Sequence, residues 1–347
     1  MNEVYRIIDA NLNRITEALR VLEEISRFIL NDKEISEKFK NDRHKLATYV
    51  DRNYSILLDS RDTVNDVGVG IFNPTSKKSL MDVFKANVKR LQQCLRVLAE
   101  YYSILGEDNA AFEQMRYESY TMEKVMFDKL SKKVNLHKLS DKKLYLVTDR
   151  NKFADDNAFL DALAAALKGG VQIVQLREKT ATAKEIVNLA QKVKELCGHF
   201  NALFIINDRV DIAQIVGVDG VHLGQDDIDI HSARKLLGND VIIGISTHEP
   251  KHALKAVEDG ADYIGVGPVF ETPTKPGKKS VGLEYVEWAT QNVNIPWYAI
   301  GGIDLTNVSE VVAHGATRTA VVRAIINAEN PEAQAKEFIV KLNSKSN

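Results

Sequence analysis

An aspartate stands just past each of two short apolar runs: Leu203–Ile206 leads into Asn207-Asp208, and Val221–Leu223 leads through Gly224 into Gln225-Asp226-Asp227. Carboxylate oxygens are hard ligands, so two of them brought to one place can hold one hard cation such as Mg²⁺. Asp208 and Asp227 could equally cap helices or sit in plain loops. Their repetition at equivalent strand ends favours a shared site. A third run ends in Gln175-Leu176-Arg177-Glu178-Lys179, where strand alternation sets Gln175, Arg177 and Lys179 on one side. Two cations and an amide together suit a polyanion such as diphosphate. Further along stand Ser246-Thr247-His248, a long segment from Gly267 to Lys279 with several lysines and prolines, Gly301-Gly302, and Val322-Arg323. The long segment has the length of a closing lid. The glycine pair lets backbone N–H groups approach a phosphate.

These groups need a frame that delivers them to one face. Val210, Ile212, Ala213, Ile215 and Val216 give a short helical spacing closed by Gly217, so the acid pair sits in a strand–helix–strand unit. Eight such apolar runs succeed one another from Leu144–Thr148 to Thr319–Val322, and helical stretches such as Ala158–Lys168 and Ala183–Cys197 separate most of them. Eight β/α units in this length define the α/β class and a (β/α)8 TIM barrel, whose functional groups lie at strand C-terminal ends. A doubly wound open sheet is the alternative, but it needs fewer strands and usually a nucleotide fingerprint. On the barrel reading, the face carries two anion sites. One, from the second to fourth strands, suits Mg²⁺-diphosphate; the other, after the seventh and eighth strands, suits a monophosphate.

Residues 1–135 have helical periodicity and almost no strand pattern. They contain an internal repeat, A-N-x-x-R-x-x-x-x-L-R-V-L-x-E, beginning at Ala10 and again at Ala86. Helical spacing groups Ile7, Asn11, Ala18, Leu22 and Ile25 on one face with Arg14 at its edge, and Val83, Asn87, Cys94, Leu98 and Tyr101 with Arg90 at its edge. A buried amide or guanidinium needs a partner. Either these four polar residues bond one another or helix ends across the repeat, or they line an anion pocket. Arg20–Glu24 and Arg96–Glu100 read as solvated pairs one turn apart. Between the repeats, a glycine-rich stretch carries Asp66 and fits no phosphate-loop fingerprint. A lysine-rich, weakly patterned join near 135–140 separates this all-α domain from the barrel, residues 136–347.

The chain has 347 residues and a net charge of −2, which gives no electrostatic pointer to nucleic acid or an anionic membrane. No apolar run reaches membrane-spanning length, the first residues lack a signal-peptide pattern, and the two cysteines have no metal-ligand spacing. The expectation is a cytoplasmic protein acting on small molecules; homo-oligomer formation stays open.

The second segment resembles the thiamine phosphate synthases. The match is carried by Gln175 to Lys179, Ile206-Asn207-Asp208, His222 to Asp227, Gly244 to His248, Thr272-Pro273-Thr274-Lys275 and Ala299 to Ile303, in order and each at a strand end. The resemblance implies that 4-amino-2-methyl-5-hydroxymethylpyrimidine diphosphate and a thiazole phosphate are joined to thiamine phosphate with loss of diphosphate, using Mg²⁺. It implies that Gln175, Leu176, Arg177, Glu178, Lys179, Asn207, Ser246 and Lys275 bind the pyrimidine diphosphate, and that Asp208 and Asp227 hold the metal. Thr272, Pro273, Thr274, Gly302, Val322 and Arg323 hold the thiazole phosphate, with Arg177, Lys179 and Lys275 stabilising the departing charge. Arg323 departs from the serine that many members carry. His222 reads as a structural hydrogen-bonding residue rather than a base. The first segment resembles a helical domain assigned as a second class of hydroxymethylpyrimidine phosphate kinase. This makes Asn11, Arg14, Asp66, Asn87 and Arg90 its candidate site residues and a bifunctional enzyme the alternative. A thiazole tautomerase without coupling activity, or a phosphate-binding scaffold, would not need Lys179, Asp208, Asp227 and Lys275 together.

Overall fold

A computed structural model describes residues 2–67, 76–272 and 279–344. The chain divides into two units, residues 1–133 and 134–347.

The first unit is helical: α1 (Asn2–Glu24), a π turn at Ile25–Ile29, α2 (Lys33–Arg52), α3 (Tyr54–Asp59), α4 (Leu80–Ile104) and α5 (Ala110–Ser140), the last running past the division. The join that reads as weakly patterned in the sequence is thus continuous helix. Asp32 caps α2 by accepting from the Ile35 N–H at 3.1 Å, and Ser79 with Asp82 forms a reciprocal capping box on α4. Helices α1 and α4, which carry the repeat, pack on each other. Their buried stripe is centred on Ile8, Leu12, Ile15, Leu19 and Leu22 in α1 and on Phe84, Leu91, Leu95 and Leu98 in α4. Asn11, Ala18 and Leu22 are buried as expected, but Ile7 is only half-buried and Arg14 and Arg90 are exposed. A 3.6-residue period identifies a face only to within a residue or so, and the neighbouring helices set its centre.

The second unit is a closed barrel of eight parallel strands in sequential order. They are β1 (Leu144–Val147), β2 (Ile173–Leu176), β3 (Leu203–Asn207), β4 (Gly220–Leu223), β5 (Ile242–Thr247), β6 (Tyr263–Val266), β7 (Trp297–Ile300) and β8 (Thr319–Val321). Helices α6 (Asp156–Lys168), α7 (Ala183–His199), α8 (Val210–Val216), α9 (Ile230–Leu237), α10 (Pro250–Glu258), α11 (Gly282–Asn292), α12 (Val308–Ala313), α13 (Arg323–Ile326) and α14 (Pro331–Asn343) surround them. Strand alternation sends Leu146, Val174, Phe204 and Ile243 outward against the helices, while Tyr145, Ile173, Ile205, Ile242, Tyr263 and Tyr298 fill the interior. Leu139, near the end of α5, is fully buried with that interior set. The register is what matters for chemistry: Gln175 pairs with Val147 and Ile205, Asn207 with His222, and Ser246 with Gly265. Asn207 thus lies two residues beyond the β3 partner of Gln175, and Ser246 two beyond Gly244, the β5 partner of His222, the stagger that closes a tilted barrel while keeping all three at the C-terminal ends of their strands.

Candidate active site

Two adjoining cavities open at the strand C-terminal ends. The first, about 340 Å³, is lined by Gln175, Arg177 and Lys179 from β2 and the loop after it, Asn207 and Asp208 from β3, and Asp227 and Ser246 from beyond β4 and on β5. Its β2 side is held by local bonds. The Arg177 N–H donates to Thr148 Oγ1 at 3.1 Å, and Arg150 pairs with Glu178 at 3.2 Å and with Asp156 at 2.5 Å. Glu178, pointed away into that pair, does not line the cavity, and neither does Leu176, which faces the helices in the outer core. An alternating segment must present one set of side chains and withhold the other.

Asp208 takes a left-handed backbone conformation, φ +59°, which is uncommon for a side-chain-bearing residue and recurs at functional sites. Its N–H donates to the His222 carbonyl at 2.9 Å, and its carboxylate pairs with Lys179. Burial raises the Asp208 pKa; Lys179 opposes this, and the nearby Asp227 carboxylate adds to it by like-charge repulsion. Asp227 itself accepts from the Gly224 N–H at 2.6 Å. Asn207 Oδ1 is buried without a partner, although its Nδ2 donates to Asp208 at 2.8 Å. Among the described residues, no group of three or more His, Cys, Asp or Glu is placed to hold a metal ion by itself. A carboxylate pair with a spare amide oxygen fits Mg²⁺, which keeps waters and takes substrate phosphate oxygens, better than a cation needing a full protein cage.

The second cavity, about 520 Å³, is lined by Thr272, Gly302, Val322 and Arg323, and shares Ser246, His248 and Ile300 with the first. At Gly302, φ is +67° and a Cβ would stand 2.7 Å from the Glu271 carbonyl oxygen. The glycine there admits the segment after β6, whose Val269 and Phe270 N–H groups donate to Ile300 and Gly301 at 2.9 and 3.0 Å. Pro273, Thr274 and Lys275 lie outside the described residues. Two polar lining residues escape a sequence reading, Lys152 from the loop after β1 and Asn327. Both polar atoms of the Asn327 side chain are buried without a hydrogen-bond partner. Its spacing of four from Arg323, one helical turn, is the signal that could have found it.

In the helical unit, Asn11 and Asn87 do the same thing: each Nδ2 donates at 2.8 Å to the carbonyl four residues earlier, Ile7 and Val83. They do not bond each other. Arg14 and Arg90 both lie near enough to the buried Cys94 thiol to oppose the pKa rise that burial causes, so the two guanidiniums approach one region from the two repeat helices. Asp66 pairs with Arg6 at 3.5 Å, and Arg61 makes a two-pronged bond to Asp9 at 2.8 Å, which ties the segment after α3 to α1.

A (β/α)8 barrel with an acid pair, cations and a glycine turn at its strand ends belongs among the barrels whose strand-end loops bind phosphorylated small molecules. Residues 144–325 match the family model for thiamine monophosphate synthase, and residues 6–125 match the ThiD2 family. The thiamine-phosphate synthase of Nostoc punctiforme is 43% identical over 98% of this chain and 94% of its own length. That of a Synechocystis species is 43% identical over 98% of this chain and 96% of its own. The solved thiamine phosphate pyrophosphorylase from Pyrococcus furiosus superposes with a TM-score of 0.53 at 35% identity, covering 58% of this chain and 95% of that one. The chain belongs to the thiamine-phosphate synthase family. No helix among the described residues is long and apolar enough to cross a membrane.

Proposed function

We propose that the barrel, residues 136–347, joins the pyrimidine diphosphate to the thiazole phosphate in the cytoplasm. Gln175, Arg177, Lys179, Asn207 and Ser246 hold the first substrate, and Thr272, Gly302, Val322 and Arg323 hold the second. The observation that carries this reading is the convergence of Arg177, Lys179, Asp208 and Asp227 on one cavity that opens into a second lined by Arg323. The bond from the pyrimidine methylene carbon to the diphosphate oxygen breaks, and the thiazole nitrogen bonds to that carbon. Asp208 and Asp227 would hold Mg²⁺, which when bound neutralises diphosphate charge. Arg177 and Lys179, with Lys275, stabilise charge on the leaving oxygens through their own positive charge. No side-chain nucleophile is required. Ser246 and the walls shared by the two cavities set one ring beside the other, so that proximity does the remaining work.

A second reading, favoured by the match of residues 6–125 to the ThiD2 family, is that the helical unit, residues 1–135, phosphorylates the pyrimidine monophosphate. One experiment tests both. Full-length protein, Mg²⁺ and thiazole phosphate are supplied with either the mono- or the diphosphate of the pyrimidine, with and without ATP. Coupling from the diphosphate without ATP supports the barrel reading, and its absence defeats it. Coupling from the monophosphate only when ATP is present supports the kinase reading, and an Asn11→Ala or Arg90→Ala change should then weaken that arm alone.

A further inference from the structure

Five polar side chains form an unbroken hydrogen-bonded line through the barrel interior. Gln175 Nε2 donates to the Tyr145 hydroxyl at 2.6 Å, the Tyr145 and Tyr263 hydroxyls are 2.8 Å apart, Tyr263 Oη is 3.0 Å from His222 Nδ1, and His222 Nε2 is 2.9 Å from Ser246 Oγ. The line begins on β2 and ends on β5, at two residues assigned above to the pyrimidine diphosphate. Tyr145, Gln175, His222 and Tyr263 are all buried. The fold makes room for it: a Cβ at Gly244 would stand 2.0 Å from the Tyr263 ring.

Proton counting gives the line a direction. Burial raises the Tyr145 and Tyr263 pKa values well above neutrality, so each hydroxyl keeps its one proton. Tyr145 already accepts from the Gln175 amide, so its proton goes to Tyr263. The Tyr263 proton then goes to His222 Nδ1. That leaves the imidazole proton on Nε2, donated to Ser246 Oγ. Run the other way, the line would leave Tyr145 accepting twice with its own proton unplaced, a costly arrangement in a buried site.

We infer that Tyr263 and His222 are positioning residues: they fix the neutral Nε2–H tautomer and so turn the Ser246 hydroxyl proton towards the cavity, as a donor to the pyrimidine substrate. This rests on the coupling reading for its substrate, but not for its tautomer.

Two measurements test it. In ¹⁵N-histidine spectra of the free full-length protein, with the His222 signal identified by its loss in His222→Gln, the ring should be neutral with the proton on Nε2. A proton on Nδ1, or on both nitrogens near neutral pH, overturns the inference. In coupling assays, Tyr263→Phe should raise KM for the pyrimidine diphosphate about five- to tenfold, the size of one hydrogen bond, with a smaller change in kcat. In a Ser246→Ala background the same change should add almost nothing. A Tyr263→Phe penalty of equal size with and without the serine hydroxyl means that tyrosine merely supports the fold, and the inference fails. If wild-type protein does not couple at all, the functional reading falls, while the histidine spectrum still decides the tautomer.

Discussion

At the scale of residues, Asp208 is the most constrained group in the site. It combines a left-handed backbone, burial, a cationic partner in Lys179 and a second carboxylate close by. Replacing it, or Asp227, with asparagine keeps the shape and removes the charge that a cation requires. Each change should lower coupling turnover on the order of 10²-fold or more, with the melting temperature held; near-normal turnover in both variants would remove the metal assignment. Gly244 is a second residue-scale test. Three atoms of the Tyr263 ring lie within 2.5 Å of where an alanine Cβ would stand. Gly244→Ala should therefore cost about 1–3 kcal/mol of stability by overpacking, read from denaturant unfolding, and an unchanged midpoint would show the ring free to move. The acid pair, the Gln175-Arg177-Lys179 alternation and the Gly301-Gly302 turn could be read in the chain because each comes directly after an apolar run. Tyr145, Tyr263 and Tyr298 could not: inside strands they look like ordinary core, and only closure brings their rings together.

At the scale of elements, strand periodicity and helix caps carry most of the architecture. Each strand falls within a residue or two of its apolar run, because a fully buried parallel strand is apolar along its whole length. The join near 135–140 is less legible. Its lysines blur the apolar spacing, and its last turns take their apolar partners from the barrel interior, which a local pattern does not display. Helix α2 supports a prediction on caps. Asp32 accepts from the Ile35 N–H and from Lys129, and the Lys129 bond, with the Ile35 bond second to it, holds its pKa below the usual carboxylate value. A carboxylate with a lowered folded-state pKa contributes stability above its unfolded value and loses that contribution as pH falls through the folded value. Asp32→Ala should cost about 1 kcal/mol near neutral pH. The gap to wild type in thermal melts should shrink as the solution is acidified below the carboxylate range. A gap that stays constant with pH would show that the charge is irrelevant to the cap.

At the scale of the whole molecule, the end of α5 belongs to the barrel's fold. Leu139 is fully buried among interior side chains, and Asn135 Nδ2 reaches the Asn239 carbonyl at 3.2 Å. A barrel expressed from Val134 should therefore fold and couple. One starting at Lys142 loses the Leu139 side chain from a close-packed interior, a deletion worth about 2–5 kcal/mol, and should melt at a distinctly lower temperature. Equal melting of the two fragments would show that the segment is dispensable.

The chain by itself determined the order of eight β/α units, the helical segment with its repeat, and the strand-end groups. These are local facts, set by periods of two and 3.6 residues and by the polar residues that terminate each apolar run. Tertiary structure decided the rest. It placed Arg14 and Arg90 in solvent, turned Glu178 towards Arg150, added Lys152 and Asn327 to the second cavity, and linked Gln175 to Ser246 through three buried rings. Each of these depends on which distant strand or helix stands alongside, and that is settled only when the barrel closes and the helices choose their neighbours.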